Sequence, residues 1–133
     1  MRNVLYRIAK NGREEGPFCK KMGEIATASA ATDAEVAIFF TFEGLNLIQK
    51  EAHQQLPLPA GKESMAEGFQ KANIPTIPEL VKMASDLGVK LIACQMTMDV
   101  MGLVKEDFVY GIEVGGAVTF LDFAKDANVS LSF

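Results

Sequence analysis

Hydrophobic and polar positions alternate between two periods along this chain. Residues 3–9 (NVLYRIA) form a short run of β-branched and aromatic residues that predicts a first strand. The polar, glycine-containing stretch 10–16 (KNGREEG) predicts a turn. From Pro17 to Ala31 the apolar positions Phe18, Cys19, Met22, Ile25, Ala26 and Ala30 recur at helical spacing, and Pro17 suits a first helical turn. Residues 35–42 (EVAIFFTF) are almost continuously apolar, the pattern of a strand covered on both faces in a parallel sheet. Residues 44–50 predict a short helix.

The stretch 51–75 breaks this rhythm. It holds Gln54, Gln55, Pro57, Pro59, Gly61, Gly68 and Pro75, with a helical turn expected near 63–69. An excursion of this length in a small domain is usually functional or disordered, and its composition reads as a flap or an oligomer arm. Residues 76–87 then predict a helix started by Thr76 or Pro78, with Leu80, Met83, Ala84 and Leu87 as its buried stripe and Gly88 just past its end. Residues 89–93 (VKLIA) predict a third strand and residues 97–103 a short helix with Thr97 as N-cap. A fourth strand is expected at 112–114, a helix at 115–127 and a closing fifth strand at 128–133. Strands and helices in alternation predict an α/β fold: a three-layer α/β/α sandwich on a five-stranded, mainly parallel sheet. In such sheets functional groups collect just beyond the carboxyl ends of the strands.

Composition narrows the function. The 133 residues predict one domain, and 49% of them are hydrophobic, which excludes a disordered chain. Thirteen Lys and Arg against seventeen Asp and Glu give a formal charge of −4 with no basic run, which argues against nucleic acid as a partner. The longest apolar stretch, 36–48, contains Glu43 and is too short for a membrane span, which needs about 20 residues. Residues 1–9 carry Arg2 and Arg7 but no apolar run of signal-peptide length, so the expectation is a cytoplasmic protein. Two cysteines, Cys19 and Cys94, and one histidine, His53, make neither a disulfide framework nor a CxxC or zinc pattern, so no metal is expected.

Cys94 is the residue that carries chemistry. It follows the third predicted strand and precedes a helix, whose N-terminus presents unpaired N–H groups and partial positive charge that favour a thiolate. The chemistry of such a thiolate is attack on a sulfur, or storage of sulfur as a persulfide. The competing reading is a buried cysteine acting as a small hydrophobe. Met96, Met98 and Met101 are either core filler or an adaptable apolar rim around Cys94. Asp99, expected in the first turn after Cys94, serves the helix dipole, and a carboxylate turned toward the thiol would oppose its ionisation. Gly115 and Gly116 make a tight strand-to-helix turn or let backbone N–H groups approach an anion. Asn46 is assigned with them to a pocket or turn. His53 is a solvated loop histidine or a base over the site.

Three blocks of the chain, AIFFTFEGLNLIQK (37–50), KLIACQMTMDVMGL (90–103) and YGIEVGGAVTFLDFA (110–124), resemble the DsrE/DsrF/DsrH-like family, in particular its DsrE2-type branch. The resemblance implies one DsrE-like domain over residues 1–133, homo- or hetero-oligomers, and a role in sulfur relay. In that role Cys94 accepts sulfane sulfur as a persulfide and passes it to a TusA-like or rhodanese-like partner. Gln95, Met96, Thr97, Met98 and Asp99 are then the residues that stabilise the thiolate or persulfide and line its pocket, the 51–75 flap limits water access, and no cofactor is needed. Two other functions stay open: a thiol oxidoreductase or peroxidase using Cys94, and a non-enzymatic oligomeric binding module. Against the peroxidase stands the absence of a Thr-x-x-Cys motif, since Leu91 lies three residues before Cys94. The apolar surplus collects at Met96, Met98, Met101, Leu103 and Phe108, where an interface or the mouth of the sulfur site is expected.

Overall fold

Strand formation follows the apolar runs. The computed structural model describes residues 3–8, 31–52, 64–109 and 111–132. Its strands are β1 (Asn3–Ile8), β2 (Glu35–Phe40), β3 (Lys90–Cys94), β4 (Ile112–Gly115) and β5 (Val129–Ser132). Its helices are α1 (Met65–Lys71), α2 (Ile77–Asp86), α3 (Gln95–Met101) and α4 (Ala117–Ala124), with 3₁₀ turns at Phe42–Leu47 and Lys105–Asp107. The strands lie in the order β4-β3-β2-β1-β5, and every neighbouring pair is parallel. The protein is thus an α/β fold on a parallel sheet.

β2 is buried from Val36 to Phe40, and β3 from Leu91 to Cys94. Successive side chains of a strand point to opposite faces, and two core clusters divide them accordingly. Val36, Ile38, Phe40, Leu91 and Ala93 enter one cluster with Ile77 and Ala84 of α2 and Met98 of α3. Ala37, Phe39, Ile92 and Cys94 enter the other, against Phe120, Phe123 and Ala124 of α4. Chain direction explains the division. The connections β2 to β3 and β3 to β4 step the same way across the sheet, so right-handed crossovers put α2 and α3 on one face. The connection from β4 to β5 runs back to the far edge, and α4 falls on the opposite face.

The helix boundaries carry their own chemistry. Thr76 and Glu79 form a reciprocal capping box at α2: the Thr76 N–H donates to Glu79 Oε2 at 2.7 Å and the Glu79 N–H to Thr76 Oγ1 at 3.4 Å. At the other end, Gly88 at φ +82° reverses the chain, with Gly88 N–H to the Ser85 carbonyl and Val89 N–H to the Ala84 carbonyl.

Several expectations are corrected. The second strand stops at Phe40, and Phe42 already opens the 3₁₀ turn. The buried stripe of α2 is Ile77, Leu80 and Ala84; Met83 and Leu87 are exposed, because the helix presents a narrower face to the sheet than the apolar spacing implied. The last helix is shorter than expected, since Gly115 belongs to β4 and Gly116 to the turn. The predicted turn at 10–16, the predicted helix from Pro17 and residues 53–63 of the excursion lie outside the described residues; the helical turn expected near 63–69 is α1.

Candidate functional site at the carboxyl end of the third strand

β3 runs into α3 without a loop. Cys94 is both the last residue of the strand and the N-cap residue of the helix, at φ −69° and ψ 118°. Its neighbour across β4 is Gly115, and on the β2 side the last pair is Phe40 with Ala93. The site thus sits at the carboxyl ends of three strands. The thiol is free, 7% exposed, and makes no capping hydrogen bond. Strand alternation turns it toward α4, into the cluster with Ala37, Phe39 and Ile92, beneath Phe120 and Phe123. The rings of Phe39 and Phe120 are 5.4 Å apart at 53°, a tilted aromatic pair that holds α4 on this face. No residue of α4 is itself buried.

Gly115 makes this approach possible, whereas a Cβ on Gly116 would meet nothing within 4 Å. A Cβ on Gly115 would lie 2.7 Å from Thr119 Oγ1 and 2.9 Å from Thr119 Cβ. Only glycine lets the first turn of α4 come so near the strand end opposite Cys94. The Gly116 N–H donates to Thr119 Oγ1 at 3.3 Å, so this pair serves the strand-to-helix turn.

The residues after Cys94 take different roles. Gln95 Nε2 donates to Asp99 Oδ1 at 2.8 Å, which engages the Asp99 carboxylate along the exposed side of α3. Met96 is 61% exposed. Thr97 does not cap the helix as expected. It is buried, and its Oγ1 accepts the Phe42 N–H at 3.1 Å, a partner the ended β2 ladder no longer supplies. Met98 is also corrected: it packs in the cluster on the face opposite Cys94 and is core, not pocket. The expected apolar group divides in the same way. Met98, Leu103 and Phe108 pack in that core, while Met96 and Met101 are exposed beside Val100 and Val104. Asn46 is half-buried in the 3₁₀ turn, which touches β3.

Two loops flanking α3 are tied together. The Val109 N–H donates to the Ile48 carbonyl, the Lys50 N–H to the Asp107 carbonyl, and Lys50 Nζ to the Glu106 carbonyl at 2.7 Å. Gln49 and Phe108 form an antiparallel bridge. Sequence reasoning missed Phe42, which it placed in a strand. Phe42 is 54% exposed and adopts φ +49°, the left-handed region that a bulky L-residue rarely enters. Nothing in residue type signals this conformation; the one sequence cue is that the apolar run outlasts the strand.

Cys19 and His53 lie outside the described residues. Among the described residues no group of three His, Cys, Asp or Glu is placed to hold a metal ion, and no helix is long and apolar enough to cross a membrane.

Comparison with known proteins decides the family. The model of the DsrE/DsrF/DrsH-like family matches residues 24–65 and 57–132. The chain belongs to the DsrE/DsrF/DrsH-like family. Among relatives, it is 33% identical over 146 residues to the uncharacterized protein YrkE of Bacillus subtilis, covering 87% of this chain and 90% of that one. It is 29% identical over 134 residues to the sulfur carrier protein DsrE2 of Allochromatium vinosum, covering 80% and 84%. Both spans exceed the 133 residues of the chain, so both relatives carry residues with no counterpart here. The two parts of the family match meet at 57–65, inside the excursion. The fold is that of the ychN protein from E. coli, at a TM-score of 0.72 and 16% identity over 100% of this chain and 99% of that one. Protein MTH1491 from Methanobacterium thermoautotrophicum, of unknown function, aligns at a TM-score of 0.55 and 12% identity over 98% and 99%.

Proposed function

We propose that this DsrE-like protein is a sulfur carrier of sulfurtransferase type, holding sulfane sulfur as a persulfide on Cys94 and passing it to a partner. The observation that carries the reading is the place of Cys94: a free cysteine at the junction of β3 and α3, buried in an apolar cluster packed against α4. Membership of the family and likeness to a protein named as a sulfur carrier support it.

The chemistry needs no oxidant. The Cys94 sulfur attacks the outer sulfur of a donor persulfide, a new S–S bond forms at Cys94, and the donor's S–S bond breaks. The electron pair leaves with the donor sulfur, which takes up the proton released as Cys94 ionises. The products are Cys94 persulfide and a donor thiol, and transfer onward repeats the step with Cys94 as leaving group. Apolar walls from Ile92, Phe39 and Phe120 would keep water and oxidants from the stored sulfur. The donor or acceptor is a TusA-like or rhodanese-like protein, in the cytoplasm, with no metal or organic cofactor. The protein works as a homo-oligomer on a full three-layer sandwich, a reading supported by apolar residues left exposed on α3 and α4.

Mass measurement tests this reading. After incubation with inorganic polysulfide, the Cys19→Ser protein should gain a reducible adduct of about 32 Da, one sulfur. Adding Cys94→Ser should abolish it; an adduct that survives this change refutes the assignment. The burial of Cys94 favours one rival, the binding module with a structural cysteine. That rival predicts no adduct and slow thiol labelling. A peroxidase predicts fast sulfenic acid formation at Cys94 with peroxide, followed by resolution through a second thiol, so that turnover requires both cysteines.

A further inference from the structure

We infer that Thr119 is a sulfur-binding residue of the Cys94 site: its hydroxyl donates a hydrogen bond to the outer sulfur of the Cys94 persulfide, and so favours the loaded protein over the empty one. This inference rests on the sulfur-transfer reading of Cys94. Strand register places the two residues side by side. Cys94 and Gly115 are partners across β3 and β4. Paired residues on neighbouring strands face the same side of a sheet, because side chains alternate in step along both. A side chain on Gly115 would therefore point toward α4, as the Cys94 thiol does. Thr119 occupies that place, with Oγ1 2.7 Å from where the Gly115 Cβ would lie. The hydroxyl thus stands over β4, about 4.8 Å, one strand spacing, from the row that holds Cys94.

The hydrogen bonding of Thr119 leaves a donor to spare. Its Oγ1 accepts the Gly116 N–H at 3.3 Å. A hydroxyl also has one proton to give, and among the described residues no acceptor takes it. The apolar groups around Cys94, from Ala37, Phe39, Ile92, Phe120 and Phe123, offer the sulfur no side-chain hydrogen bond. The thiol itself makes no capping hydrogen bond. In the persulfide, an S–S bond of about 2 Å carries the outer sulfur beyond the thiol position, and rotation about Cβ–Sγ aims it along the sheet toward Thr119. An ionised outer sulfur accepts such a bond more strongly than a neutral thiol. Thr119 is exposed while Cys94 is buried, so sulfur held by this hydroxyl lies on the side from which a partner thiol attacks. No covalent bond changes at Thr119; it holds the sulfur between arrival and departure.

The test measures, by mass, the inorganic polysulfide concentration that half-loads Cys94 in a Cys19→Ser background. Thr119→Val keeps the side-chain shape and removes the hydroxyl. It should raise that concentration by about tenfold, the usual worth of a hydrogen bond to a charged group. Thr119→Ala should do the same, and Thr119→Ser should restore the original value. The rate of thiol labelling of unloaded Cys94 should stay constant through the series, which a merely structural role for Thr119 would not allow. A half-loading concentration that is unchanged in Thr119→Val and Thr119→Ala, or that shifts only in proportion to the labelling rate, overturns the inference while leaving sulfur storage on Cys94 intact. Absence of any adduct in the Cys19→Ser protein with Thr119 in place instead overturns the sulfur-transfer reading beneath it.

Discussion

Gly115 determines how close α4 can come to Cys94. A methyl group there would press into the Thr119 side chain at 2.7–2.9 Å. Gly115→Ala should therefore destabilise the protein by about 1–3 kcal/mol, the usual range for overpacking, read from the midpoint of chemical denaturation. In a Thr119→Gly background the same change should lose most of that effect, because the clashing side-chain atoms, Cβ included, are gone. Equal effects in both backgrounds would show that backbone conformation, not the Thr119 contact, requires glycine. Around this position the sequence was legible in part. Cys94 stood out from chain order, since a cysteine between a strand pattern and a helix pattern falls at the carboxyl edge of a parallel sheet. Thr97 was misread as an N-cap because its residue type suits a cap equally well. Its partner, Phe42, is 55 residues away in sequence, beyond any local pattern.

Helix α2 shows how much a short stretch can specify. Its start is written in Thr76-Ile77-Pro78-Glu79, and both hydrogen bonds of the capping box form. Thr76→Ala should lower stability by about 1 kcal/mol, and Thr76→Ser should recover most of it, by the same denaturation measurement. Gly88→Ala, at φ +82°, should cost about 1 kcal/mol with open space around the new methyl, isolating the backbone term. α3 and α4 were harder to read. α3 begins two residues earlier than expected, because a strand that turns directly into a helix leaves no loop residues as punctuation. α4 has an apolar composition yet no buried residue; it touches the sheet through half-buried Phe120, Phe123 and Ala124 and leaves Val118 and Leu121 exposed.

That light packing bears on how the molecule would admit a donor to Cys94. Segments with few buried apolar contacts open at lower free energy than the core. Phe120→Ala removes the ring that pairs with Phe39. In a Cys19→Ser background it should raise the rate of thiol labelling at Cys94 by roughly tenfold, while a global unfolding midpoint lowered by less than about 2 kcal/mol would place the effect in α4. An unchanged labelling rate would mean that the thiol is reached without movement of α4. The apolar surplus in the composition was legible as an amount and not as a place. The group Met96 to Phe108 divides between core and surface because neighbouring residues on a helix face different ways, and only the packed partner reveals which way is inward.

Local pattern was enough for the alternating strands and helices, the continuous apolar runs of β2 and β3, the caps of α2 and the candidacy of Cys94. Each rests on interactions within a few residues, whose period and propensity are carried by the chain itself. The strand order, the face on which Cys94 lies, the removal of Met98 to the opposite core and the left-handed Phe42 held by Thr97 were settled in three dimensions. They depend on crossover direction and on contacts between distant segments, and adjacent residues in a strand are sent to opposite faces however alike they are in kind.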